Sequence, residues 1–177
     1  MLETLITSKT RIKLLLKFFL NSNSSSYLRN LENEFGESSN AIRLELNKFE
    51  EAGLLHSELD GNKKLFRANT KHPLFRDIHN ILLKYIGFDK ILKVIHKLGN
   101  LDKVFVTGAF ARGLDHPVID LIFVGEDLNK NYLMKLVDKA ERLINRRIRY
   151  MVMTHKEFMD YRRNNGGEEM LLLFSEH

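Results

Sequence analysis

Two sets of residues have types and spacings that could do chemistry. The first is the turn Gly108-Ala-Phe-Ala-Arg-Gly113, followed on the next apolar run by the single carboxylate Asp120. Glycine-rich turns let backbone N–H groups approach an anion closely, so Gly108, Arg112, Gly113 and Asp120 are the residues that could hold a nucleotide or other anionic ligand. Gly108 and Gly113 have Walker A spacing, but Leu114-Asp115 stands where that loop needs Lys and a hydroxyl, which excludes a P-loop. A dinucleotide fingerprint needs three glycines, and only two are present. The second set is Ser39, Asn40, Arg43 and Asn47, which recur on one side of a helix. Arg can be bidentate to guanine and Asn to adenine, while Ser suits base or phosphate. Lys63, Lys64 and Arg67 follow on a hairpin, where they suit contacts to phosphate that ignore sequence.

The elements positioning the second set are read from periodicity. Ser8 and Thr10 can cap a helix with Ile12, Leu15, Leu16 and Phe19 on its apolar face. The polar stretch Asn21–Ser26 ends it and supplies caps for a helix from Tyr27 to Phe35, closed by Gly36. Ser38 or Ser39 caps a third helix with Ile42, Leu46 and Phe49 facing inward and Gly53 as its stop. Glu45, Glu50 and Glu51 on that helix would repel DNA if they faced it. Leu54–Leu59 and Lys64–Ala68 flank Asp60-Gly61-Asn62-Lys63, and Asp-Gly is a strong hairpin signal. Helix, helix, turn, helix and a two-stranded ribbon make the plan of a helix-turn-helix with a wing.

Pro73 opens a connector helix in which Phe75, Ile78, Ile81, Leu82, Tyr85 and Ile86 repeat at helical spacing up to Gly87. Its apolar face can cover core or pair with a second copy, and sequence does not separate the two. Beyond it, Ile91 to Leu98 predicts a helix ending at Gly99, and Val104–Thr107 a buried strand. Val118–Val124 reads as a strand, Leu133–Ile144 as a helix, Arg147–Met153 as a strand and Lys156–Arg163 as a helix. Strands alternating with helices indicate a small α/β sheet. The apolar tail Met170–Phe174 is expected to dock on a surface or a second copy.

Composition bounds the function. The chain has 177 residues, 44% hydrophobic and 29% charged, which is ordinary globular composition. No apolar run approaches the roughly 20 residues that cross a bilayer, and residues 1–9 lack the order of a secretory signal, so a cytoplasmic protein without membrane partners is expected. The net charge of +5 permits a polyanionic partner, but Lys and Arg are divided 13 to 15 between residues 1–87 and 88–177. A nucleic-acid face must therefore come from local clustering. With no Cys there are no disulfides, thiolate metal sites or Cys nucleophiles. The seven His are scattered without a His-x-x-x-His pair, and no metal or cofactor is expected.

Residues Ser8–Phe75 resemble the winged-helix regulators called ArsR-like, through Ser8-Lys-Thr-Arg-Ile-Lys-Leu-Leu14 and Ser39-Asn-Ala-Ile-Arg-Leu-Glu-Leu-Asn-Lys-Phe-Glu-Glu-Ala-Gly-Leu-Leu55. The resemblance implies sequence-specific binding to double-stranded DNA, usually as a homodimer. Metal-sensing relatives use Cys ligands, and this chain has none. From Phe88 to about Asp160 the chain resembles the minimal nucleotidyltransferase domain, whose pattern is Gly-Ser-x-Ala-Arg-Gly and then Asp-x-Asp on the next strand. In that family the turn holds the nucleoside triphosphate, and the paired carboxylates with a third acid on a later strand hold Mg²⁺. Here the Ser falls on Ala109 and the first Asp on Val118. The later strand, Arg147-Ile-Arg-Tyr-Met-Val-Met153, has no acid.

The expected fold class is α+β. A winged helix-turn-helix domain (residues 1–72) precedes a connector helix (73–87) and a small α/β nucleotidyltransferase-like domain (88–177). The expected function is that of a bacterial transcriptional regulator. Its second domain has no catalytic residues and serves ligand sensing, dimerisation or partner binding. A nucleotidyltransferase positioned by a winged helix, or a protein-interaction module without DNA binding, are the alternatives. Because the third acid is absent, restoring Ala109→Ser with Val118→Asp is expected to create no nucleotidyl transfer, measured as labelled nucleotide incorporated with Mg²⁺.

Overall fold

The computed structural model describes residues 2–95, 98 and 100–176. The chain divides into two compact units, residues 1–85 and 86–177, each with its own sheet, and its class is α+β.

In the N-terminal unit a short helix α1 (Leu2–Leu5) precedes α2 (Lys9–Leu15), which runs on through a wider π-helical turn (Leu16–Leu20). Ser8 is the cap of α2: its side chain accepts from the Arg11 N–H at 3.2 Å, while Thr10 is buried inside the helix. Strand β1 (Ser25–Tyr27) leads into α3 (Leu28–Phe35), which ends on Gly36 in the left-handed region (φ 63°). Such a C-terminal position favours glycine, which has no Cβ to clash. Helix α4 (Ser39–Glu51) is capped by Ser38. Strands β2 (Leu55–Asp60) and β3 (Lys63–Ala68) form a hairpin with Asp60 opposite Lys63, leaving Gly61 and Asn62 as a two-residue loop. Helix α5 (Phe75–Ile86) completes the apolar spacing read from the sequence, with Leu82 and Ile86 buried and Ile81 half exposed.

The second helix starts one residue later than its periodicity predicts. Tyr27 belongs to β1, which pairs antiparallel with β3 (Ser25 opposite Arg67, Tyr27 opposite Leu65), so the sheet order is β1-β3-β2. The serines of the polar loop therefore do not cap α3, and Ser24 and Ser26 are buried. A three-residue polar strand has no period of its own; the unpaired edge of β3 selects it.

The core of this unit gathers Leu14, Phe18, Phe19, Leu31, Ile42 and Leu46. Phe19 packs edge-on to Phe49 and against Phe75. Helix α2 is tied to α3 and α4 by a ladder of ion pairs. Arg11 Nε reaches Glu45 at 2.8 Å. Lys13 Nζ reaches Glu37 at 2.7 Å and the Phe35 carbonyl at 2.8 Å. Lys17, only 2% exposed in the π-helical turn, reaches Glu34 at 3.1 Å. A cation this deep is tolerable only when paired, because transfer from water without a partner costs several kcal/mol.

In the C-terminal unit α6 (Phe88–Ile95) is followed by β4 (Leu101–Thr107), a single helical turn α7 (Gly108–Ala111) and β5 (Val118–Gly125). The expected helix stop at Gly99 lies outside the described residues. Then come α8 (Lys130–Ile144), β6 (Arg147–Met153), α9 (His155–Asn164) and β7 (Leu171–Ser175). The sheet order is β6-β5-β4-β7; β5 and β6 are parallel across the α8 crossover, and the other pairs are antiparallel. The apolar tail thus pairs with β4 as an edge strand. Val104, Val106, Ile119, Leu121 and Phe123 are buried on the sheet, with Leu133 and Val137 of α8 also in the core. On the other face, Phe158 of α9 stacks on Phe105 with ring centroids 4.7 Å apart. Thr154 and Glu157 form a reciprocal capping box at the start of α9.

Burial pushes the Glu45 carboxyl up, but the hydrogen bond and charge of Arg11, with Lys48, outweigh it and leave the carboxyl below its ordinary value of 4.5. A depressed carboxyl contributes stability that is fully present above the ordinary value and is lost as pH falls through the folded one. Glu45→Gln is therefore expected to lose about 1–2 kcal/mol at neutral pH. The gap to wild type should close in acid, as checked by thermal unfolding across that range.

Candidate functional site

Helical periodicity sorts the side chains of α4. Ile42, Glu45, Leu46 and Phe49 are buried, whereas Asn40, Arg43, Leu44, Asn47 and Lys48 are exposed. The acids of this helix have separate fates. Glu45 is turned inward to Arg11. Glu50 accepts from the Ser57 hydroxyl and from Lys64 Nζ at 3.1 Å. The Ser57 hydrogen bond, opposed by burial and reinforced by Lys64, holds the Glu50 carboxyl below the usual glutamate value. Glu51 is exposed one turn beyond Asn47, at the far end of the helix.

A groove of about 470 Å³ lies between α4, the start of α3, β1 and the hairpin. It brings together Arg43 and Asn47 with Lys63 and Lys64, four of the seven residues expected to face DNA. The other three do not line it. Ser39 is half-buried and its hydroxyl donates to Glu32, while Asn40 and Arg67 are exposed outside the groove. Among the lining residues that the sequence does not single out are Arg29 and Tyr27. Arg29 stands in the first turn of α3, and Tyr27 forms a wall of the groove. The Tyr27 hydroxyl donates to Asp60, and this hydrogen bond, more than anything else near it, raises the phenol above its ordinary value of 10.0. Lys63 Nζ sits 5.9 Å from the centre of the same ring, which fixes the hairpin tip against β1 by a cation–π contact. The basic character of Arg29 was visible in the sequence. The role of Tyr27 was hidden by its assignment to a helix.

In the C-terminal unit, β4 ends at Thr107 and the chain turns at Gly108 in the left-handed region (φ 65°). A Cβ at Gly108 would stand 2.5 Å from Asp120 Oδ2, so this turn demands glycine for both its backbone and its neighbour. Asp120 lies between Thr107 of β4 and Arg149 of β6 in the sheet register. Arg149 Nε donates to Asp120 Oδ1 at 2.6 Å, and the carboxylate holds the guanidinium above its ordinary value. A cleft of about 440 Å³ opens here, lined by Thr107, Gly108, Asp120, Arg149, Tyr161 and Glu168 among others. The Tyr161 hydroxyl donates to Glu168 at 2.6 Å, and this hydrogen bond, aided by burial, pushes the phenol up to about 12.

Of the four residues expected to hold an anionic ligand, the structure brings Gly108 and Asp120 to this cleft and leaves Arg112 and Gly113 out of its lining. Arg112 is exposed, and Gly113 is buried in the turn. Asp115 is not available to Asp120, because Arg146 donates to it at 2.7 Å and to the His116 carbonyl at 2.7 Å. The two-Mg²⁺ site implied by the nucleotidyltransferase resemblance does not fit these residues. Asp120 faces a guanidinium, Val118 stands opposite Arg147, and no group of three ligating side chains occurs among the described residues. Mg²⁺ requires several oxygen ligands in near-octahedral geometry. Tyr161 and Glu168 gave no sequence signal, since they come from a helix and a loop far along the chain.

No protein-family model and no curated protein match the chain. Among solved structures it is similar to AF1382 from Archaeoglobus fulgidus, at 20% identity over 46% of this chain and 93% of that one, with a TM-score of 0.38. It is similar to HlyU from Vibrio cholerae, at 13% identity over 47% and 82%, with a TM-score of 0.37. It is also similar to the toxin–antitoxin MntA-HpeT, at 12% identity over 51% and 74%, with a TM-score of 0.40. These are coarse likenesses of fold.

Gly108→Ala is expected to cost about 1–3 kcal/mol, from left-handed backbone strain and displacement of Asp120. Ala109→Ser, one residue on, should cost less than about 0.5 kcal/mol. Denaturant unfolding of the two variants checks the difference.

Proposed function

We propose that the N-terminal unit binds double-stranded DNA in a sequence-specific way and that the chain is a cytoplasmic transcriptional regulator. The observation that carries this reading is the exposed face of α4. Arg43 and Asn47 face out beside Lys63 and Lys64 of the hairpin, while Glu45 is withdrawn to Arg11. Free carboxylates at that place would oppose phosphate; pairing removes one and turns another toward the hairpin. The N-terminus of α4 adds favourable potential for a phosphate. Arg43 and Asn47 are then the base readers, and the hairpin lysines the clamps on the backbone. Lys64 exchanges its exposed partner Glu50 for phosphate at little cost, because exposed pairs contribute at most about 1 kcal/mol.

In this proposal the C-terminal unit is a nucleotidyltransferase-like domain without catalysis, serving ligand sensing, dimerisation or partner binding. The Arg149–Asp120 pair supports that reading, since it neutralises internally the one carboxylate the turn retains. A homodimer is the expected assembly. Among the described residues no helix is long and apolar enough to cross a membrane.

The test is fluorescence anisotropy with duplex DNA from the chain's own upstream region, titrated at two salt concentrations against a scrambled duplex. Preference for the native duplex by about tenfold or more, equivalent to 1.4 kcal/mol, supports the reading; equal binding to both, or none, overturns it. Arg43→Ala is expected to relax base preference and cost about 1–3 kcal/mol, whereas Lys64→Ala should weaken all duplexes alike and flatten the salt dependence. Identical behaviour of the two variants would refute the division into readers and clamps.

A further inference from the structure

The groove beside α4 has a feature that a duplex does not use. Its cations stand around an apolar floor made by Leu28 and the Tyr27 ring, both half-buried, with the core residues Leu46 and Phe66 behind them. Base edges and phosphates pressed onto that floor would lose water without gaining partners, which is costly. The lining also has an uneven charge. Glu32 is its one acid and already accepts from Ser39. Arg29 and Arg43 make no ion pair among the described residues, whereas Lys64 is held by Glu50 and Lys63 lies over Tyr27. Two free guanidinium groups above an apolar floor suit an anion with an apolar body. The volume, about 470 Å³, is in the range of small-molecule sites, which are mostly apolar with a few placed polar groups.

We propose that this groove is a binding site for a small amphipathic carboxylate, an aromatic or branched aliphatic acid. Its apolar body rests on Leu28 and the Tyr27 ring, and its carboxylate is received by Arg43 with Arg29. Guanidinium is the side chain suited to a carboxylate because it can donate two parallel hydrogen bonds. Occupancy also takes Arg43 and Asn47 away from any other partner. Where the DNA-binding reading holds, the acid and the duplex therefore compete for one face, and the acid acts as an effector that releases DNA. That last consequence rests on the DNA-binding reading; the site itself does not.

Isothermal titration calorimetry of the full chain with 2-naphthoate, and with neutral 2-naphthamide as control, tests the site. The expected result is one-to-one binding of naphthoate, with naphthamide weaker by about tenfold or more. Arg43→Gln and Arg29→Gln, both on the surface, should each weaken naphthoate by about fivefold or more. Leu28→Trp, which fills the floor, should abolish binding; the two surface variants decide the matter if that variant does not fold. Absence of naphthoate binding, equal binding of the amide, or affinity unchanged in both arginine variants overturns the proposal. Naphthoate that joins a DNA-bound chain without displacing the duplex, while the arginine variants weaken it as expected, keeps the site and overturns the competition. A chain that binds naphthoate as expected but no duplex keeps this site and loses the DNA-binding reading.

Discussion

In each unit the sign of the electric field at the candidate site depends on one kind of interaction, a carboxylate held by an arginine from a neighbouring element. Arg11 of α2 takes Glu45 out of the outward face of α4. Arg149 of β6 neutralises Asp120 within the cleft beside Gly108. Both pairs are made through Nε of the guanidinium, at 2.8 and 2.6 Å, but they differ in setting. The Glu45 side chain is 11% exposed, so its pairing has structural weight as well as an effect on the field. Arg149 is 76% exposed, and in that much water its pairing contributes little to stability. What it changes is the chemistry of Asp120, which meets a fixed monovalent cation where an Mg²⁺ site would need further oxygen ligands.

The ladder from α2 extends the same logic. Arg11, Lys13 and Lys17 recur at two- and four-residue intervals, and their partners are spread over α3, the turn after it and α4. The π-helical turn at Leu16–Leu20 buries Phe18, Phe19 and Leu20 along with Lys17. The ion pair with Glu34 is what makes that burial tolerable. Lys13 also donates to the carbonyl of Phe35, in the last turn of α3, where helical carbonyls lack partners of their own. Through these contacts α2 sets where α4 lies, and so where Arg43 and Asn47 stand relative to the hairpin. The hairpin has its own restraint, Tyr27 with Asp60 and Lys63. The groove is thereby set by contacts outside it on the α2 side and by contacts within its own wall on the hairpin side.

Much of the local structure was legible because its causes are local. Asp60-Gly61 announces the hairpin, although both strands run one residue further into the expected turn, pairing Asp60 with Lys63. Gly36 and Gly53 marked helix ends, and both adopt positive φ. The alternation in Arg147–Met153 predicts a strand with the bounds it has. The alternation of Ile42, Leu46 and Phe49 with Asn40, Arg43 and Asn47 showed which side of α4 faces out. Strand β1 was not legible, since Ser25–Tyr27 has neither the length nor the apolar pattern of a strand and pairs only because β3 offers an edge. Tyr27 was therefore placed on a helix, and its part in the groove was missed. Tyr161 and Glu168 lie too far along the chain from Gly108 to have been grouped with it.

The sequence by itself determined the residue types available and the faces on which helices and strands present them. It also determined what is absent: a hydroxyl at Ala109, a carboxylate at Val118 and any thiol. These follow from side-chain identity and from periods of about 3.6 and 2 residues, which need no distant partner. Only the tertiary structure decided the state of each charge. Glu45 could have faced outward, Asp120 could have stood free, and Arg112 could have paired with Asp115. Their actual partners, Arg11, Arg149 and, for Asp115, Arg146, lie about 30 residues away in sequence. The physical reason is that an ion pair requires two side chains within a few ångströms, and over such separations only the packing of helices and the register of strands bring them there.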